Sequence, residues 1–157
     1  MVTPKQLGHL VLRVRDVEAS EKWYQNTLGL HTTTKREGQM VFMSAGEDAS
    51  HELALMTVGA DAPGPESTRV GLYHFAWEMN SFEDLKKLYK HMKANDVNMG
   101  GIGDHGISIG VYLFDPDGNE IEVFYELPKD QWPEEGFLFS GKFPGGELES
   151  DEVVATA

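Results

Sequence analysis

The chain has 157 residues, 40% hydrophobic and 25% charged, one ordinary soluble domain's worth of sequence with enough apolar side chains for a core. Its 26 acidic against 13 basic side chains leave a formal charge of −13, which argues against nucleic acid or an anionic membrane as partner. Cysteine is absent, so disulfides, thiolate ligands and thiol nucleophiles are excluded, and any metal must take nitrogen and oxygen ligands.

Residues 7–14 alternate around His9 and read as a strand. Asp16 can cap the helix that follows, in which Val17, Trp23 and Tyr24 fall near a helical period, and Gly29 stands at its C-cap. Short apolar runs at 39–44 and 52–58, bounded by Gly, Asp and Ser, fit strands, and ADAPGPEST (60–68) is a linker. The plan then repeats: a strand at 72–79, and a helix opened by Ser81, Glu83 and Asp84 that ends near Asn95. A Gly-rich stretch, NMGGIGDHG (98–106), leads into a strand at 107–114. DPDGN (115–119) is a tight-turn signal, and 120–125 returns as the hairpin partner. From Pro128 onward Pro, Gly and acidic residues dominate. Trp132, Phe137, Phe139 and Phe143 are placed to latch this extension to the body, and the acidic last dozen residues are expected to be mobile.

LGHLVLRVRDVEASEKWY from Leu7 and LYHFAWEMNSFEDLKKLY from Leu72 align at a constant offset of 74 − 9 = 65. Leu meets Leu, His9 meets His74, Glu18 meets Glu83 and Tyr24 meets Tyr89, the mark of a duplicated unit. A lone His on a half-buried strand is usually only punctuation. Two in repeat register, with Glu122 near the end of the second copy, point to a metal site between the copies. Two imidazoles and one carboxylate leave open positions on a divalent metal, the arrangement of non-haem iron(II) oxygenases. His31 and His91 lack any such pattern and read as solvated. Phe75 and Trp77 read as core and cleft wall, and Glu18, Glu21, Glu83 and Asp84 as helix-surface charges.

The duplicated βαβββ unit, the His on each first strand and the DPDGNEIE hairpin resemble the vicinal oxygen chelate superfamily. That group includes glyoxalase I, bleomycin-resistance proteins, methylmalonyl-CoA epimerase and the extradiol (type I) catechol dioxygenases. The resemblance implies an α+β fold with two βαβββ modules forming a half-open β-barrel around a metal site. It places a single domain at 1–127 (module one 5–58, linker 59–69, module two 70–127) and a C-terminal extension at 128–157. HELALM (51–56) is similar to the His-Asp-(Ile/Val)-Ala strand of the dioxygenases, whose His is an acid/base. YLFDPDGNEIEVF (112–124) resembles their Tyr-Phe-Phe-Asp-Pro-x-Gly-Asn-x-x-Glu signature, and HGIS, beginning at His105, resembles a segment whose His contacts substrate.

The resemblance thus implies metal ligands His9, His74 and Glu122 and catalytic roles for His51, Tyr112 and His105. Fe(II) is the expected metal, with Mn(II) as the alternative, in an extradiol ring-cleaving dioxygenase acting on a small aromatic diol and O2. Glyoxalase I and the epimerase carry a fourth ligand, a Glu on the last strand of module one. Laying HELAL (51–55) over EIEVF (120–124) puts Ala54 there, and a shift by two residues would substitute Glu52. A glyoxalase-like lyase or isomerase, or a metal-free binding module, is the alternative. A homo-oligomer, dimer or higher, is expected. No apolar run approaches the ~20 residues of a bilayer span. MVTPKQLGHL lacks a signal-peptide core, so a cytoplasmic protein is expected.

Overall fold

The computed structural model of the chain describes residues 1–132 and 143–149. Its elements run β1 (Leu10–Val14), α1 (Val17–Leu28), β2 (His31–Arg36), β3 (Met40–Ser44), β4 (Leu53–Thr57), β5 (His74–Glu78), α2 (Phe82–Ala94), β6 (Met99–Asp104), β7 (Ser108–Phe114) and β8 (Glu120–Glu126). A single 3-10 turn, Lys129–Gln131, follows. The order βαβββ occurs twice, an α+β architecture. One four-stranded sheet has the order β1-β4-β3-β2 and the other β5-β8-β7-β6. In each, the first strand pairs in parallel with the last, and the remaining pairs are antiparallel.

Met1–Pro65 together with Asp115–Asp117 form one compact unit. Leu12 and Val14 of β1 are buried while Val11 and Arg13, of opposite parity, are exposed. α1 starts where Asp16 accepts a bond from the Ala19 N–H at 2.9 Å and stops at Gly29, whose φ of 71° suits a residue without a Cβ. It packs on β3 and β4, so Val17 and Tyr24 share a core with Val41, Met43, Leu53 and Leu55. The buried Tyr24 hydroxyl donates to Asp115 at 3.0 Å. Arg15 holds Asp117 through its backbone N–H and its guanidinium, at 3.1 and 2.9 Å, and donates from Nε to the Ala62 carbonyl. DPDGN is therefore more than a turn: both of its aspartates are bonded to side chains of this unit.

The second unit comprises Glu66–Phe114 and the described residues from Gly118 onward. Ser81 caps α2 by accepting from the Asp84 N–H at 3.1 Å. Leu85, Tyr89 and Met92 of α2 are buried on the side of β8, with Ile121 and Val123 beneath. Among the described residues no helix is long and apolar enough to cross a membrane.

Four expectations need correction. The sequence reading located no strand at β2: HTTTKR has no apolar alternation because this outer strand is largely exposed. The Gly-rich 98–106 run is not a lead-in, since β6 occupies Met99–Asp104 and pairs with β7. Glu21 is not a surface charge; it is buried, accepting from Thr32 at 2.6 Å and facing Lys35 at 3.4 Å. Nor are the described residues of the last dozen, 146–149, all loose. Leu148 is buried, and Glu149 accepts from Tyr89 at 2.8 Å and Lys93 at 2.9 Å. Phe143 is buried against Phe82 and Tyr125, as a latch would be, while Trp132 is exposed, its indole N–H donating to the Leu127 carbonyl. Phe137, Phe139 and residues 150–157 lie outside the described residues.

Candidate metal centre

In the second unit, His74 opens β5 and Glu122 lies on β8, strands that pair in parallel with Ala76 opposite Glu122. His74 Nε2 stands 3.5 Å from Glu122 Oε2, and the Glu122 side chain is only 11% exposed. Two ligands with bonds of about 2.1 Å to one cation lie roughly 3.0–3.5 Å apart at ordinary coordination angles. The pair therefore fits a divalent metal, and its nitrogen and oxygen donors suit iron or manganese. A buried carboxylate whose near neighbours are imidazoles also gains from a compensating cation. His74 Nδ1 is buried with no hydrogen-bond partner among the described residues.

Two more side chains converge there. His105 Nε2 is 3.2 Å from the Tyr112 hydroxyl and 4.0 Å from Glu122 Oε1. The Tyr112 ring stands edge-on to His74 at 5.4 Å. Burial raises the Tyr112 pKa, and the charge of Glu122 raises it further, so its phenol stays protonated and can donate. His74, Glu122, Tyr112 and His105, named from sequence, thus form one cluster. Among the described residues no three or more His, Asp or Glu side chains are gathered as a complete metal cage.

In the first unit the His9 and His51 rings lie 4.6 Å apart at 39°. Phe42 meets His51 edge-on at 5.1 Å, and Ser50 Oγ is 3.1 Å from His51 Nδ1. Strand register locates the position of the fourth ligand. β1 and β4 pair Val11 with Ala54, as β5 and β8 pair Ala76 with Glu122. His9 precedes Val11 by two residues, as His74 precedes Ala76, so Ala54 holds the place of Glu122. Glu52 instead accepts from Ser44 Oγ at 2.6 Å and the Ala45 N–H at 3.3 Å.

Residues 6–123 match the Glyoxalase/Bleomycin resistance protein/Dioxygenase superfamily. The chain belongs to this superfamily. Among superfamily relatives, it is 30% identical over 127 residues to a catechol-2,3-dioxygenase of Bacillus subtilis (strain 168), covering 80% of this chain and 43% of the relative. It is 31% identical over 123 residues to biphenyl-2,3-diol 1,2-dioxygenase 3 of Rhodococcus globerulus, covering 78% and 63%. The chain spans less than two thirds of either curated relative. The crystal structure of a lactoylglutathione lyase from Agrobacterium tumefaciens is also similar, with 26% identity, a TM-score of 0.61 and coverage of 78% of this chain and 94% of that one. Superfamily members of two reaction types therefore resemble it.

Sequence reading missed what makes room for the cluster. Gly103 and Gly110 face each other across β6 and β7. A Cβ on Gly110 would lie 2.5 Å from Glu122 Oε1, and one on Gly103 would lie 2.8 Å from the Tyr112 ring and 3.3 Å from His105 Nε2. The signal was present in MGGIGD and SIGVYLF: glycine inside a strand marks a close approach.

Proposed function

We propose that this superfamily member is an extradiol ring-cleaving dioxygenase acting on a catechol-type aromatic diol with O2. The observation that carries the reading is the grouping of His105 and Tyr112 with the His74–Glu122 pair. It joins metal donors to groups that can hydrogen-bond a phenolic oxygen. The repeat register of His9 with His74 supports His9 as the third ligand, and the resemblance to the dioxygenases supports Fe(II), with Mn(II) as the alternative, as the metal. Bound there, the metal supplies a path for electrons from the diol to O2.

The chain's own residues position the substrate and move its protons. Tyr112, kept protonated by burial, donates its phenolic hydrogen to a diol oxygen. His105 orients Tyr112 and contacts the same substrate. Ser50 Oγ lies 3.1 Å from His51 Nδ1; in the tautomer whose Nδ1–H donates to it, His51 Nε2 carries the lone pair of a base and takes a diol proton, returning it later as an acid. Ala54 leaves a three-ligand set with room for the diol and O2.

A lyase of the lactoylglutathione type is the second reading, favoured by the Agrobacterium tumefaciens structure. It needs Glu52 to leave Ser44 and become a ligand. Adding catechol anaerobically to iron-loaded protein and then admitting air separates the two. The dioxygenase consumes O2 and turns the solution yellow with a ring-opened semialdehyde. No O2 uptake, with conversion of a glutathione hemithioacetal instead, overturns the proposal.

A further inference from the structure

Asp104 ends β6 beside His105, and no part of the chemistry above uses it. Its two oxygens do separate things. Oδ1 accepts from the Gly106 N–H at 2.9 Å, closing the turn that carries His105, where Gly106 has a φ of 81°. Oδ2 accepts from the Phe143 N–H at 3.0 Å. Phe143 belongs to the C-terminal extension and lies 39 residues away in sequence.

That end of the bond is anchored firmly. The Phe143 ring is buried against Phe82 at 5.1 Å and Tyr125 at 6.2 Å. Gly145 is required beside it, because a Cβ there would collide with the Phe143 ring. Six residues on, Glu149 is held by Tyr89 and Lys93 of α2, with Leu148 buried next to it. At the other end, the His105 N–H donates to the Ser108 carbonyl at 2.9 Å, and its ring reaches Tyr112. A short hairpin carrying an active-site imidazole is thus tied, through one carboxylate, to a segment packed on α2.

We propose that residues 143–149 are a positioning strap for His105, with Asp104 as its buckle. Asp104 is a positioning residue, not a catalytic one: it touches backbone N–H groups and acts on substrate through His105. The catalytic consequence rests on the dioxygenase reading; the strap itself does not. An aspartate serves better here than an asparagine, since both oxygens must accept and an amide would turn a donor toward one of two N–H groups.

The test compares wild type, Asp104→Asn, Phe143→Ala and the conservative Phe143→Leu as metal-free full chains. Amide hydrogen exchange at Gly106 and Phe143 should quicken roughly tenfold or more in Asp104→Asn, the loss expected for hydrogen bonds to a charged acceptor. The His105 ring resonances, assigned with His105→Gln, should shift in Asp104→Asn and Phe143→Ala, stay near wild type in Phe143→Leu, and leave those of His31 in place. Unchanged exchange at Phe143, or unmoved His105 signals, overturns the strap. In the iron-loaded protein, Asp104→Asn should raise KM for catechol several-fold in wild type and add nothing in a His105→Ala background. Additive losses would make Asp104 merely structural and overturn the positioning role. A wild type that turns over no catechol defeats the dioxygenase reading instead, while the exchange and resonance results still decide the strap.

Discussion

At the scale of single residues, the proposed function gives Tyr112 a binding role and His51 proton transfer. Tyr112 holds its proton because burial and Glu122 disfavour the phenolate, so its hydroxyl keeps a hydrogen to donate. Tyr112→Phe removes one hydrogen bond, about 0.5–1.5 kcal/mol with a neutral acceptor and more with a diolate oxygen. Its kcat/KM should fall roughly twofold to tenfold or somewhat beyond. His51 is packed between His9 and Phe42 and anchored by Ser50, which sets its ring direction. His51→Gln should keep its metal and bind catechol, yet turn over about 10²–10⁴ times more slowly. Ring-cleavage rates equal to wild type at matched iron content would make His51 a bystander.

The protonation of Tyr24 matters for stability rather than chemistry. Its pKa is raised first by burial and then by the charge of Asp115. The unfolded chain loses this proton near the ordinary value of 10.0, whereas the folded chain keeps it to higher pH. Stability therefore falls as pH rises through 10.0 toward the folded pKa. Tyr24→Phe should be less stable at neutral pH by about 1–3 kcal/mol, because Asp115 loses a buried donor. Its urea midpoint should then decline less steeply than wild type above pH 10.0. Parallel decline in the two proteins would contradict this account.

At the scale of elements, the proposed three-ligand set rests on the parallel β1–β4 and β5–β8 pairs. Ala54 is fully buried in the register position of Glu122. Ala54→Glu should add a fourth ligand, hold metal at least as tightly as wild type, and suppress O2 uptake by occupying an exchangeable position. Glu52→Gln should leave metal content nearly unchanged, since Glu52 is committed to Ser44 and Ala45. A large loss of metal in Glu52→Gln would favour the lyase reading. Elements whose signal is local were legible in sequence: both helix caps, the C-cap Gly29 and the DPDGN turn. β2 and β6 were not. One is a polar outer strand without alternation, and the other carries glycines whose purpose is clearance for Glu122 and Tyr112, side chains distant in sequence. The bond from Phe143 to Asp104 was equally hidden, because a backbone N–H leaves no trace in residue identity.

For the whole molecule, the proposed ligand set of His9, His74 and Glu122 predicts that metal binding couples to folding, because the unfolded chain cannot present the three together. Metal that binds only the folded chain stabilises it by RT ln(1 + [M]/Kd), about 2.7 kcal/mol at a hundredfold excess over Kd. For a chain of this length that corresponds to a rise in Tm of roughly 5–10 °C. Anaerobic Fe(II) or Mn(II) should produce such a rise in wild type and in His51→Gln. Neither metal should do so in His9→Ala, His74→Ala or Glu122→Ala. These three variants test the assignment separately. His74 and Glu122 are already neighbours at 3.5 Å, so either loss should abolish the shift. If His9→Ala alone keeps the full wild-type rise, the third ligand is another residue and the duplication marks ancestry without a shared metal. If all three keep it, the metal binds elsewhere, and the dioxygenase reading loses its centre.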